Sequence, residues 1–155
     1  MSYRNRAFKA PDGESFFLFG PRGTGKTTWL KHEYTNALWV DLLNPQEERY
    51  FSMYPELLKE RIDAASSKKW IIIDEVQKVP KILDVVHSLI EEKRGYQFIL
   101  TGSSSRKLRR GGVNLLAGRA LWRNFHPFIA SELKEEFDLG IALKTGMIPL
   151  IGKRP

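Results

Sequence analysis

Cysteine is absent from this chain of 155 residues. That excludes disulfides and thiolate-metal sites, and it fits an intracellular setting. Histidine is scarce: the three present, His32, His87 and His126, are scattered and show no metal-ligand spacing. No apolar run approaches the roughly 18 residues of a membrane span. The start, Met1-Ser2-Tyr3-Arg4-Asn5-Arg6, lacks the apolar stretch of a secretory signal. These absences predict a cytoplasmic protein with no membrane partner. Internal repeats and low-complexity tracts are missing too.

What is present suits one soluble domain: 42% hydrophobic and 28% charged residues. The net charge is +7. A basic balance favours polyanions such as nucleic acid, although a phosphate-binding protein is basic for simpler reasons.

Short apolar runs alternate with helical patterns, which predicts an α/β fold with a parallel sheet and crossover helices. Strands are expected at Phe16–Phe19, Ala37–Asp41, Trp70–Ile73, Gln97–Leu100 and Ala120–Phe125. Helices are expected from about Lys26 to Tyr34, from Asn44-Pro45 toward Met53, and from Pro55 through Ile62. Further helices are expected over Pro80–Glu92 and Pro127–Glu136, with a short piece around Leu115-Leu116. Asn44 reads as an N-cap with proline at the first helical position. Trp29, Trp39, Trp70 and Trp122 all sit in apolar segments and read as core or core-edge residues.

The segment Gly20-Pro21-Arg22-Gly23-Thr24-Gly25-Lys26-Thr27 fits G-x-x-x-x-G-K-[ST]. In such a loop glycines let backbone amides curl around phosphates, and the following helix points its positive end at them. A chance glycine-rich turn would not also lie between a buried strand and a helix. These eight residues and Thr28 are therefore the candidate nucleotide-binding set. Lys26 reaches the β- and γ-phosphates in this reading, and the Thr27 hydroxyl sits on magnesium. Arg22 either touches a phosphate or faces a neighbour. No Asn-Lys-x-Asp guanine-reading motif occurs, which favours ATP over GTP.

The strand Trp70–Ile73 ends in Asp74-Glu75. An acid at the carboxyl end of a parallel strand lies where such sheets hold ligands. Asp74 is thus the candidate partner of magnesium, and Glu75 the base that polarises the attacking water. The plainer alternative is a pair that caps the next turn. Past the fourth strand, Thr101 or Ser103 suits a γ-phosphate-sensing role, with Ser103 preferred because it lies just beyond the strand end. A serine run also serves as an N-cap. Arg119, just before the fifth strand, is the candidate arginine finger, a group that often acts across a subunit interface. Arg106, Lys107, Arg109 and Arg110 form a solvated face or a patch for nucleic acid or an acidic partner.

FLFGPRGTGKTT, ALWVDLL, WIIIDEVQKVPKILDVVHSLIEEK, FILTGSSSRKLRRGGVNLLAGRA and HPFIASEL, in that order, resemble the N-terminal half of a prokaryotic ATPase family of the AAA+ superfamily. The resemblance covers about residues 5 to 150. It implies a P-loop three-layer sandwich, a parallel sheet of about five strands in the order 5-1-4-3-2, and ATP with Mg²⁺ as ligands. It also implies the roles given above for Lys26, Thr27, Asp74 and Glu75, and it matches Gly118-Arg119 to the family's Leu-Ala-Gly-Arg segment. Relatives continue into a second domain, so residues 1–145 are expected to form the ATPase domain and 146–155 a tail or the start of that missing domain.

Two functions compete. One is Mg-dependent ATP hydrolysis coupled to a partner, a second copy or a missing domain. The other is a nucleotide-dependent binding module with little turnover. A small-molecule kinase, which shares the loop, fits the Asp74-Glu75 pair poorly.

Overall fold

The structure, a computed structural model, describes residues 3–110 and 116–149, and of Lys107, Arg109 and Arg110 only the backbone. Five parallel strands form one sheet: β1 (Phe16–Phe19), β2 (Leu38–Asp41), β3 (Trp70–Asp74), β4 (Gln97–Gly102) and β5 (Leu121–Asn124). Their order is β2-β3-β4-β1-β5, the 5-1-4-3-2 arrangement read from the other edge. The P-loop strand β1 therefore lies between β4 and β5, and β4 separates it from the acidic strand β3.

Alternation along the strands builds a core on each face. Phe16, Leu18, Ile72 and Ile99 pack on Trp29 and Leu30 of α1 (Lys26–Glu33). Phe17, Phe19, Ile71, Ile73, Phe98 and Leu100 face the other layer. That layer holds α2 (Pro45–Met53), α3 (Leu57–Ala64) and α4 (Ile82–Glu91), whose buried residues include Phe51, Leu58, Ile62 and Val86. With the sheet between two helical layers, this is the three-layer α/β sandwich of the P-loop class. Asn44 caps α2 through its side chain, which accepts from the Gln46 amide, and Pro45 takes the first turn.

Several boundaries differ from the sequence reading. β4 runs on through Thr101 and Gly102 because the ladder with β1 continues to Phe19. The helix expected over Pro127–Glu136 breaks into α6 (Ala130–Leu133) and a 3-10 turn (Lys134–Glu136). Lys134 has a positive φ (51°) with ψ −123°, a conformation that interrupts the regular helix. A further helix, α7 (Leu139–Thr145), follows, its first turn capped by Asp138. The piece expected around Leu115-Leu116 is a 3-10 turn at Leu116–Gly118, and Leu115 lies outside the described residues. α5 spans Ser105–Arg110. Trp29 is buried, and Trp39, Trp70 and Trp122 pack on the two cores as half-buried residues.

Candidate functional site

Three strands deliver polar groups to one place at their carboxyl ends. β1 runs into the loop, and α1 starts at Lys26 after Gly25, whose φ of 90° suits glycine. Gly20 is needed for a different reason: a Cβ there would collide with the carbonyl oxygen of Phe125, just after β5. The loop is thus wedged against the neighbouring strand as well as shaped for an anion.

Lys26 is 5% exposed, and its Nζ donates to the carbonyls of Gly20 (2.7 Å) and Pro21 (3.1 Å). Burial pushes its pKa below the ordinary lysine value, against the opposing pull of Glu75 and Asp74. Thr24 is buried and ties its hydroxyl to the Pro21 carbonyl at 2.9 Å. The Thr27 hydroxyl donates to Asp74 Oδ2 at 2.9 Å, joining α1 to β3. Asp74 is 2% exposed; burial raises its pKa, while the hydroxyls of Thr101 and Thr27 pull it back down. The Thr101 hydroxyl donates to Asp74 Oδ1 and accepts from the Glu75 amide at 3.0 Å. Glu75 itself sits in the left-handed region (φ 60°), an uncommon conformation for a side-chain-bearing residue.

Of these groups Lys26, Thr27 and Glu75 border a cleft of about 540 Å³, a volume that suits a nucleotide. Arg22, Gly23, Gly25, Lys26, Thr27 and Thr28 line it on the loop side. Tyr3, Arg4, Arg6, Trp29, Leu43, Glu75, Phe128 and Pro149 complete its walls. A larger hollow of about 660 Å³ lies between the N-terminal segment and α6, lined by Arg4, Arg6, Glu132 and Glu136, and holds no part of the loop. The oxygens of Thr27 and Asp74 suit a hard cation such as Mg²⁺. Among the described residues no group of three or more His, Cys, Asp or Glu could hold a metal. A cation beside Thr27 would therefore draw further oxygens from phosphate and water.

The AAA domain family model matches residues 12–134, most of the chain. The chain belongs to the AAA domain family. The AAA domain is a nucleotide-binding module of the P-loop ATPase class, and the cleft described above holds its P-loop. Two solved structures share the fold. The ORC1 protein of Aeropyrum pernix, solved in complex with DNA, has a TM-score of 0.52 and 14% identity; the match covers 79% of this chain and 42% of that one. PCH-2 of C. elegans has a TM-score of 0.50 and 18% identity, over 73% of this chain and 35% of that one. The chain thus spans less than half the length of either. No protein of curated function matches it.

Not every candidate residue of the AAA domain converges on the cleft. Ser103 lies just beyond β4, and it is Thr101 whose hydroxyl meets Asp74. Arg119 precedes β5, at the amino end of the sheet, where it pairs with Glu91 of α4. Asn124 lies five positions further along, about 16 Å of extended chain, so Arg119 does not reach the cleft of its own chain. Arg106 is exposed on α5, while the side chains of Lys107, Arg109 and Arg110 lie outside the described residues. Among the described residues no helix is long and apolar enough to cross a membrane.

Arg6 was not legible in the sequence. Its nearly buried guanidinium pairs with Glu132 at 3.1 Å and donates to the carbonyls of Thr24 (2.7 Å) and His126 (2.6 Å). It also lies over the rings of Phe125 and Phe128. One arginine thereby fastens the N-terminal segment, the P-loop and α6 together. Residues near the expected tail join in: Phe128 donates its amide to the Met147 carbonyl at 2.9 Å, and Pro149 borders the cleft.

Proposed function

We propose that this AAA domain binds ATP with Mg²⁺ in the cleft at the carboxyl ends of β1, β3 and β4, and hydrolyses it to ADP and phosphate. The observation that carries this reading is the Thr27–Asp74 hydrogen bond, which draws the P-loop helix and the acidic strand together within one hydroxyl's reach. Gly20 through Thr28 supply amides for the polyphosphate. Lys26, released from the Gly20 and Pro21 carbonyls, turns its charge to the β- and γ-phosphates. Thr27 and Asp74 hold Mg²⁺, whose charge offsets that of the phosphoryl oxygens. Glu75 takes a proton from water as that oxygen bonds to the γ-phosphorus and the bond to the β-bridging oxygen breaks. Thr101, or Ser103 after a local shift, reports on the γ-phosphate.

Arg119 then acts in trans, in the cleft of a second copy or of a protein partner. Its distance from its own cleft and its ion pair with Glu91 also support the alternative: a nucleotide switch with little turnover until a partner brings an arginine. We take residues 1–145 as the ATPase domain and residues 146–155 as a tail or the start of a second domain.

Glu75→Gln tests the hydrolytic reading. ATP binding should persist while phosphate release falls by about 10²–10⁴-fold. Turnover equal to wild type would remove Glu75 as the base. Wild-type release at the uncatalysed background, with ATP bound, would favour the switch.

A further inference from the structure

Glu75 stands in a left-handed conformation at the mouth of the cleft, and the residue that holds it there is two positions on. The Gln77 side-chain amide donates through Nε2 to Glu75 Oε2. No hydrogen bond to Glu75 Oε1 occurs among the described residues, and Glu75 borders the cleft beside Lys26. The orientation of the amide is fixed by chemistry: an ionised carboxylate only accepts, so the NH₂ group must face it.

The other half of the amide explains how it is seated. Gln77 Oε1 is buried and has no hydrogen-bond partner among the described residues. It lies over the backbone of Gly102 at the tip of β4, where an added Cβ would come within 2.7 Å of it and 3.0 Å of Phe19 Cε1. β4 thus carries a bare residue where the amide rests. A buried acceptor without a donor is unfavourable. A side chain retained only to pack this corner would be better apolar; the amide earns its place through the hydrogen on its nitrogen.

The geometry points to Gln77 as the positioning residue of Glu75: its amide, seated on Gly102, holds one carboxylate oxygen and leaves the other turned to the cleft for the attacking water. A base oriented by a third group is the recurring arrangement wherever a proton must be taken at a fixed point. The chain's own turn supplies it here. β3 ends at Asp74, Glu75 reverses the backbone through its left-handed conformation, and the 3-10 turn Val76–Lys78 brings Gln77 back beneath it. This assignment rests on Glu75 being the base.

Gln77→Met keeps the length of the side chain and removes both the donor and the orphaned acceptor. In the full chain with MgATP, kcat should fall roughly 10- to 100-fold, the scale of a misplaced reacting group. KM for ATP should stay within about twofold, since no nucleotide-binding group changes, and Tm should hold or rise. In a Glu75→Gln background the same change should cause no further loss, because both act through one carboxylate. A readout without nucleotide accompanies these: the Gln77 side-chain amide cross-peak in ¹⁵N-labelled protein should move when Glu75 is changed to Ala. An active wild type, an inactive Glu75→Gln variant and a Gln77→Met variant with wild-type kcat would overturn the role of Gln77 and leave the hydrolytic reading intact. A cross-peak unmoved by Glu75→Ala would also overturn it. A Glu75→Gln variant as active as wild type, or a wild type with no turnover, would instead sink the reading of Glu75 as base, and with it this role.

Discussion

At the carboxyl end of the sheet, Lys26, Asp74, Thr24 and Thr101 are buried and bonded to one another or to the loop backbone. At the amino end, Arg119 lies half-exposed on a turn and meets a single carboxylate, Glu91, that is more exposed still. The same strands join both ends, yet the physical terms differ. Burial at the first end lowers the Lys26 pKa and raises that of Asp74, so both charges are held at a cost that a ligand of opposite charge would relieve. The second end is a solvated ion pair of the kind worth little to stability and therefore free to be exchanged. One end is built to receive charge and the other to lend it.

Four changes sharpen or break that contrast. The largest expected effect is Arg119→Ala. If Arg119 is lent to a neighbour's cleft, turnover of the assembled protein falls by about 10³-fold, while Tm barely moves because the lost pair is exposed. Steady-state kinetics at concentrations that populate the assembly measure the first and thermal melts the second. Unchanged kinetics would reduce Arg119 to a surface residue.

Gly20→Ala comes next. Its Cβ would meet a backbone carbonyl that cannot step aside, so stability should drop by about 3 kcal/mol or more. A urea melt reads that loss directly. The matching change at the amino end is Gly118→Ala. Gly118 sits in open space at φ 80°, so only backbone strain opposes the substitution, and roughly 1–2 kcal/mol is expected in the same experiment. Equal losses at the two positions would mean that β5 yields at Phe125 and that the loop is not wedged.

The smallest effect concerns Asp74→Asn in the nucleotide-free protein. Burial raises the Asp74 pKa, so the folded state holds its proton more tightly than the unfolded chain. Stability should then decline as pH rises from the ordinary carboxylate range through the raised value. Asn removes that decline: its oxygen still accepts from one of the Thr27 and Thr101 hydroxyls, and its NH₂ group donates to the other. Tm near neutral pH should rise by about 2–4 °C, the scale of a 1 kcal/mol change in a chain of this size. Magnesium-dependent nucleotide binding should weaken in the same variant. A melt profile with the wild-type slope would show that Asp74 carries no burial penalty.

The legibility of the sequence followed the same division. The P-loop could be read because its glycines, lysine and threonine are set by local geometry at fixed spacing. The sheet order followed from a chain-long resemblance. Asp74 was legible because a strand of continuous apolar residues ended in it. Asn44 and Pro45 announced their helix through a local side-chain bond. Arg6 could not be read, since its partners Thr24, His126 and Glu132 are distant in sequence and meet only in the folded chain. Thr101 and Ser103 were both read as candidates for the sensing role, with Ser103 preferred; the extra two residues of β4 depend on pairing with β1, which no local pattern encodes. α7 was not read in the sequence: Gly140 and the exposed Leu139, Ile141 and Leu143 obscure its helical period, and its Asp138 cap is a finding of the structure.

The central claim is that the loop from Gly20 to Thr28 grips a polyphosphate through Lys26 and its amides. Calorimetric titration of ATP and GTP into wild type and Lys26→Ala, with and without magnesium, tests it most directly. The account predicts ATP binding that tightens with magnesium, weaker binding of GTP, and a loss of about 100-fold or more in the variant, as fits removal of a buried charge-assisted contact. Equal affinity for ATP in wild type and Lys26→Ala would contradict it.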